Sequence, residues 1–441
     1  MYEQAVADRQ RERGPDHPDT LTSRGWLASA HRDSGDPRTA VALYGDVVAD
    51  RTRVQGADHP DTLRSRHELG WALSEAEGPD AARREFELLA ADSARAQGPD
   101  HPSTLFYRDD LAEAHRNRAD YARATDAYEA VIADYTRVRD KDHPETLRAR
   151  AALAYTWQLA GDHQRSIRER QTLVADRTRV QGSWHPATLT ARANLAFAHR
   201  AASEFPAAIG LFEDVLRDRR AILGPEHPEV FATREALART LQWADRHTRA
   251  VRELKSLHAD MEGFLGPDNP RVLSVRLALG RVYAEEYRLE QALELYEPLA
   301  EDYERLYGPD HPMTLVVRLW IGAAYRAAAR YDRAGEVFDA LIDDHTRIQG
   351  PDHPDTLNVR SWRALAFRDA EQHKQAITAY QELIDDRTRL LGPDAPDTLH
   401  DRNGLAPARL DDRDHAGAIA EFTGLLDDRR GLLGTMPQTP F

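Results

Sequence analysis

The sequence contains no cysteine among its 441 residues. Disulfides, thiolate catalysis and cysteine-ligated metal are therefore excluded, and a reducing, cytoplasmic setting is expected. Long apolar runs are missing too, so no transmembrane helix is expected. The opening stretch MYEQAVADRQRERG is charged from its third residue and lacks the apolar centre of a signal peptide. Basic charge is in deficit: 59 Lys and Arg face 74 Asp and Glu, a net charge of −15. An acidic chain is a poor starting point for binding nucleic acid or anionic membrane, and neither is expected as a partner. His-Glu-x-x-His and the Gly-Lys-Ser/Thr phosphate loop are absent as well. With no nucleophile–base set and no metal motif, the reading is non-enzymatic and without cofactor.

What is present is repetition. GPDHPDTL begins at Gly14 and returns unchanged at Gly350. Between and beyond stand GADHPDTL, GPDHPSTL, DKDHPETL, GSWHPATL, GPEHPEVF, GPDNPRVL, GPDHPMTL and, at Gly392, GPDAPDTL, each start 42 residues after the last. A fixed period in this range marks a repeat architecture, so the two to four domains that length suggests give way to one solenoid. We number the slots 0–41 from the Gly. Slot 7 is Leu in nine copies and Phe231 in the other, and slot 14 is only Ala or Gly. This periodicity predicts an amphipathic helix A over slots 5–19. Ala or Ser166 at slot 26, aromatics at slot 30 (Tyr44, Phe86, Tyr128, Phe212, Tyr296, Phe338, Tyr380, Phe422) and aliphatics at slots 33 and 34 predict a helix B over slots 23–38. Small residues at slots 14 and 26 let the helices approach, and the slot-30 aromatic fills the gap between them.

This pattern resembles tetratricopeptide repeats, and more narrowly the 42-residue kinesin-light-chain type, whose linkers read Gly-x-x-His-Pro. The resemblance implies an all-α, right-handed superhelical solenoid of antiparallel helix pairs with a concave ligand-binding face. The expected organisation is an orphan helix B at 1–13, ten repeats at 14–433 and a tail at 434–441. The orphan helix reads either as a cap or as part of a longer protein. One departure is plain: the family often carries Asn-Asn before the helix-A Leu-Ala, and here only Asn194 and Asn403 remain at slots 11 and 12.

The histidine of the octapeptide invites a metal reading. Ligand nitrogens sit about 2 Å from an ion, whereas stacked helices lie roughly 8–10 Å apart, so His17, His59, His101 and their equivalents cannot converge. The octapeptide instead reads as a linker. Its Gly is a helix C-terminal stop, its Pro starts helix A, and its His lies where it can meet free helix amides.

Two polar slots never vary: slot 10 is always Arg and slot 36 always Asp. Counting outward from the linker turn sets slot 36 opposite slot 10 of the next repeat. This predicts ion pairs Asp8–Arg24, Asp50–Arg66, Asp92–Arg108, Asp134–Arg150 and Asp176–Arg192, continuing to Asp386–Arg402, with Asp428 left alone.

The resemblance lines the concave face with slots 8, 11, 12, 15 and 18 of helix A. These are variable, and richer in Arg and aromatics than an acidic chain suggests. The candidate ligand residues are Trp71, Arg148, Tyr155, Phe197, Arg200, Arg239, Arg281, Trp320, Arg326 and Trp362. They suit an extended protein or peptide segment bearing acidic and apolar residues. The alternative reading is a sensor or oligomerisation arm of a larger signalling protein, such as a nucleotide-switch ATPase. Two irregularities stand near the end: Pro407 is expected to kink or shorten its helix, and Arg363 replaces a core Leu at slot 13.

Overall fold

The computed structural model describes residues 2–434. Among the described residues there are twenty-one helices and no strand. The A helices are α2 (Pro18–Asp33), α4 (Pro60–Ala76), α6 (Pro102–Asn117), α8 (Pro144–Leu159), α10 (Pro186–Ala201), α12 (Pro228–Trp243), α14 (Pro270–Glu285), α16 (Pro312–Ala327), α18 (Pro354–Asp369) and α20 (Pro396–Asp411). The B helices are α1 (Tyr2–Arg13), α3 (Pro37–Gln55), α5 (Pro79–Gln97), α7 (Tyr121–Val138), α9 (His163–Gln181), α11 (Phe205–Leu223), α13 (His247–Leu265), α15 (Leu289–Tyr307), α17 (Tyr331–Gln349), α19 (His373–Leu391) and α21 (His415–Gly434). Most B helices run to slot 41, about a turn beyond the expected end, and stop at the linker residue of positive φ, such as Gly56 at 99°. The expected tail at 434–441 lies outside the described residues apart from Gly434.

The chain forms two compact units, Met1–Ile222 and Leu223–Phe441. Within each, neighbouring helices pack in chain order. Consecutive A helices also touch: α2 with α4 and α6 with α8 in the first unit, α16 with α18 and α18 with α20 in the second. The A helices therefore share a face, and the core lies between each A helix and its flanking B helices. Close approach at slot 14 is literal. A Cβ added to Gly280 would stand 2.4 Å from the Tyr296 ring, so glycine there makes room for the aromatic. Tyr128, packed with Leu105, Ala112, Val131 and Leu153, shows the same layer with alanine. Burying such a ring is worth about 1.5–3 kcal/mol.

The two invariant ladders do meet, but in a different register. Each slot-10 Arg pairs with the slot-36 Asp of its own repeat, in all ten repeats. Arg24 lies 2.6 Å from Asp50, Arg66 2.7 Å from Asp92, Arg150 2.8 Å from Asp176 and Arg192 2.6 Å from Asp218. The pairs Asp8–Arg24, Asp50–Arg66, Asp92–Arg108, Asp134–Arg150 and Asp176–Arg192 are not formed. Asp8 meets Arg11 on its own helix, and Asp428, expected to stand alone, meets Arg402. The paired residues stand at the expected height along the helices but face the other neighbour. Successive residues point about 100° apart around a helix, so slot 36 faces back to its own helix A while slot 37 faces forward. The forward contact is made by residues such as Arg51, which donates to the Asp61 carbonyl at 2.7 Å.

The two irregularities resolve locally. With Pro407 inside it, α20 keeps the 16 residues of most other A helices and is not shortened. Arg363 forms a fork on Asp339, at 2.7 and 2.9 Å, and its guanidinium lies 3.8 Å from the Phe367 ring centre. Gly335 gives that guanidinium its space, since a Cβ there would come within 2.9 Å of Nη1.

Candidate functional site

The octapeptide caps the helices. His17 Nδ1 accepts from the Asp19 amide at 3.2 Å, and seven further histidines cap helix A in the same way. Asn269 does so through its side-chain oxygen, and Ala395 leaves its helix without a side-chain cap. The threonine at slot 6, which the sequence reading passed over, ties the linker shut: Thr62 donates to the Gly56 carbonyl at 2.9 Å, and Thr20, Thr104 and Thr314 repeat the bond.

A second ladder was also missed. Arg53 at slot 39 reaches Asp16 at slot 2 of the same repeat and Asp50 at slot 36. Arg95, Arg137, Arg179, Arg305, Arg347 and Arg389 do likewise. Where slot 39 is Ala221 the slot-2 residue is Trp184, so both partners are lost together, whereas Gly263 and Gly431 stand in repeats that keep Glu226 and Asp394 at slot 2. The recurrence of Arg at slot 39 with Asp at slot 2 in seven repeats was the signal available in the sequence.

The predicted ligand residues do lie on A helices, but most engage one another. Arg281 on α14 lies 5.2 Å from the ring centre of Trp320 on α16, and Arg326 on α16 lies 5.3 Å from that of Trp362 on α18. Arg326 also pairs with Asp369, and Trp362 stacks on Phe338. In the first unit Arg148 holds Asp109 at 2.7 Å, Tyr155 lies under Arg116, and Phe197 packs edge-on to Phe212 with Arg200 over its face. Burial pushes the Asp109 carboxyl up, and Arg148 opposes this. Trp71 packs on Phe86 beside His67. Burial lowers the His67 pKa, but hydrogen bonds to Asp110 and Glu68 outweigh it and raise it to about 9. Arg239 is exposed and makes no ion pair among the described residues. Cation–π stacking thus ties consecutive A helices together and consumes part of the lining expected to be free.

Open space remains on this face in both units. In the second unit a cavity of about 570 Å³ is lined by Leu319, Trp362, Leu365 and Tyr380, with Asn358, Ser361, Arg368 and Asn403 among its polar groups. In the first unit a cavity of about 430 Å³ lies beside Trp26, Arg32, Tyr44 and Glu68. Another, of about 330 Å³, opens between α8, α9 and α10. Among the described residues no three His, Asp or Glu side chains are grouped to hold a metal, and no helix is long and apolar enough to cross a membrane.

Two models of the family described as Tetratricopeptide repeat match this helix-pair pattern, one over residues 105–145, 188–229 and 272–312, the other over 26–91 and 315–385. These spans together take in more than half of the chain. The chain belongs to the tetratricopeptide-repeat family. Such repeats are generally non-catalytic protein-interaction scaffolds. No curated protein matches the chain. Among solved structures it is similar to the nearly identical TPR-like repeats named for a kinesin light chain of Podosopora anserina, at 28% identity over 46% of this chain and 97% of that one, TM-score 0.42. It is similar in fold to a STAND protein with a tetratricopeptide repeat sensor from Pyrococcus horikoshii, at 10% identity over 88% of this chain and 55% of that one, TM-score 0.51. The apo form of RapI is similar at 10% identity over 90% and 99%, TM-score 0.50.

Proposed function

We propose that this tetratricopeptide-repeat chain is a non-catalytic scaffold that binds an extended protein segment along the A-helix face, with its main apolar subsite in the second unit. The observation that carries this reading is the 570 Å³ cavity at Trp362 and Leu365. It combines an apolar floor with side-chain amides and an arginine, the composition of a pocket that takes one side chain and grips the backbone beside it. Exposed Arg239 and Arg281 support a segment that also carries acidic residues. The likeness to the STAND sensor is one of fold and adds no partner of its own.

The test is selection from a random peptide library on the immobilised full chain. Enriched peptides are expected to combine an apolar anchor with acidic neighbours. Their affinity should fall at least about tenfold in Leu365→Glu, the cost of removing one good anchor, and less in Arg239→Glu with Arg281→Glu. Equal binding by wild type and both folded variants overturns the reading.

A further inference from the structure

Slot 30, aromatic in eight repeats, is Arg170 in the fourth. Its side chain is not at the surface: Arg170 is 6% exposed. Seven residues on, two turns along the same face of α9, stands Arg177. Both line the 330 Å³ cavity, together with Leu173 and, from α10, Thr190, Ala191 and Asn194. Neither cation has a carboxylate. Arg170 donates only to neutral groups and only at long range, to Ser166 Oγ at 3.3 Å and Gln158 Oε1 at 3.4 Å. Arg177 forms no hydrogen bond or ion pair among the described residues. The carboxylates next to them in sequence, Glu169 and Asp176, are both held by Arg150, at 2.6 and 2.8 Å. Burial holds both guanidinium pKa values below the usual arginine range, and Arg170, at about 10, remains charged at neutral pH.

A buried and a half-buried cation facing one cavity with no counter-charge are costly, because desolvation is not offset by a paired carboxylate. The arginine fork matches carboxylate and phosphate oxygens in shape. The Asn194 amide and Thr190 hydroxyl offer further neutral donors on the opposite wall. We propose that the cavity between α8, α9 and α10 binds a compact oxyanion, a carboxylate or a phosphate, gripped by Arg170 and Arg177. This goes beyond the scaffold reading: a free ion and an acidic side chain of a docked segment present the same group.

Thermal unfolding of the full chain tests it, with inorganic phosphate or a short glutamate-rich peptide added against chloride at matched ionic strength. Wild type should show a saturable rise in Tm with at least one probe. A response to phosphate alone assigns a free ion, and a response to the peptide assigns a side-chain carboxylate. Arg170→Phe restores the aromatic used elsewhere at slot 30 and should fold without the shift. Ala191→Asp supplies a built-in carboxylate beside Arg177 and should also lose it. Loss in either folded variant supports the site. No saturable rise in wild type with either probe, or an undiminished rise in both variants, overturns it. The outcome is separable from the peptide selection above, whose critical variants lie in the other unit.

Discussion

Slot 37 holds a buried or half-buried arginine in both units, and its surroundings differ. In the second unit Arg387, 3% exposed, has Asp401 at 3.1 Å and donates to the Asp397 carbonyl at 3.0 Å and to Asn358 at 2.8 Å. Asp401, at slot 9 of the tenth repeat, is wholly buried and also accepts from Ser361 at 2.7 Å. In the first unit the residue equivalent to Asp401 is Ala191, and Arg177 faces its cavity without a carboxylate. Arg51, a further case, stands between them: Ser65 occupies slot 9, and Arg51 is satisfied by the Asp61 carbonyl and Thr22. The same residue at the same slot is thus a closed structural contact in one place and an open cation in another, and slot 9 of the next repeat supplies or withholds its carboxylate.

The strongest way to break this comparison is to remove the counter-charge where it exists. Asp401→Ala should destabilise the second unit by about 3–5 kcal/mol, because it strands Arg387 in the interior. Arg170→Phe should instead stabilise the first unit, and guanidinium denaturation of the two variants beside wild type reads the opposite signs. If both lose stability, the first-unit cations are better compensated than their geometry implies.

A second test uses a buried cation that does have carboxylates. His67 has its pKa raised to about 9 from an ordinary 6.5. A folded pKa above the unfolded one gives stability that is complete below pH 6.5 and is lost as pH rises through 9. The loss should amount to at most about 3 kcal/mol, and His67→Gln should flatten it. A wild-type stability that is level from pH 6.5 to 9, measured by urea titration at each pH, contradicts the assignment.

The smallest effect belongs to the outer ladder. Arg53 is exposed and its pairs with Asp16 and Asp50 compete with water. Arg53→Gln should leave the denaturation midpoint unchanged within error at moderate salt. A clear drop would mean that the Asp–Arg chain across slots 2, 39, 36 and 10 acts as a unit.

The periodic features were legible in the sequence because they depend on local chemistry: helix pairs from apolar spacing, starts from His-Pro, stops from Gly, and a layer from small residues opposite aromatics. The candidate face was legible in outline, since the chosen arginines and aromatics do lie on A helices. Their mutual stacking was not, because it joins residues about 40 positions apart on neighbouring helices. The invariance of slots 10 and 36 announced a pair, yet only the packed helices decided that Asp50 turns to Arg24 and not to Arg66. Likewise the sequence shows Arg170 and Arg177 as two arginines in an arginine-rich chain. Burial makes them unusual, and burial is a property of the three helices that close around them. A one-dimensional pattern specifies which groups recur. The rotation of each helix about its axis specifies which of them meet, and that rotation is set by the packing of the whole layer.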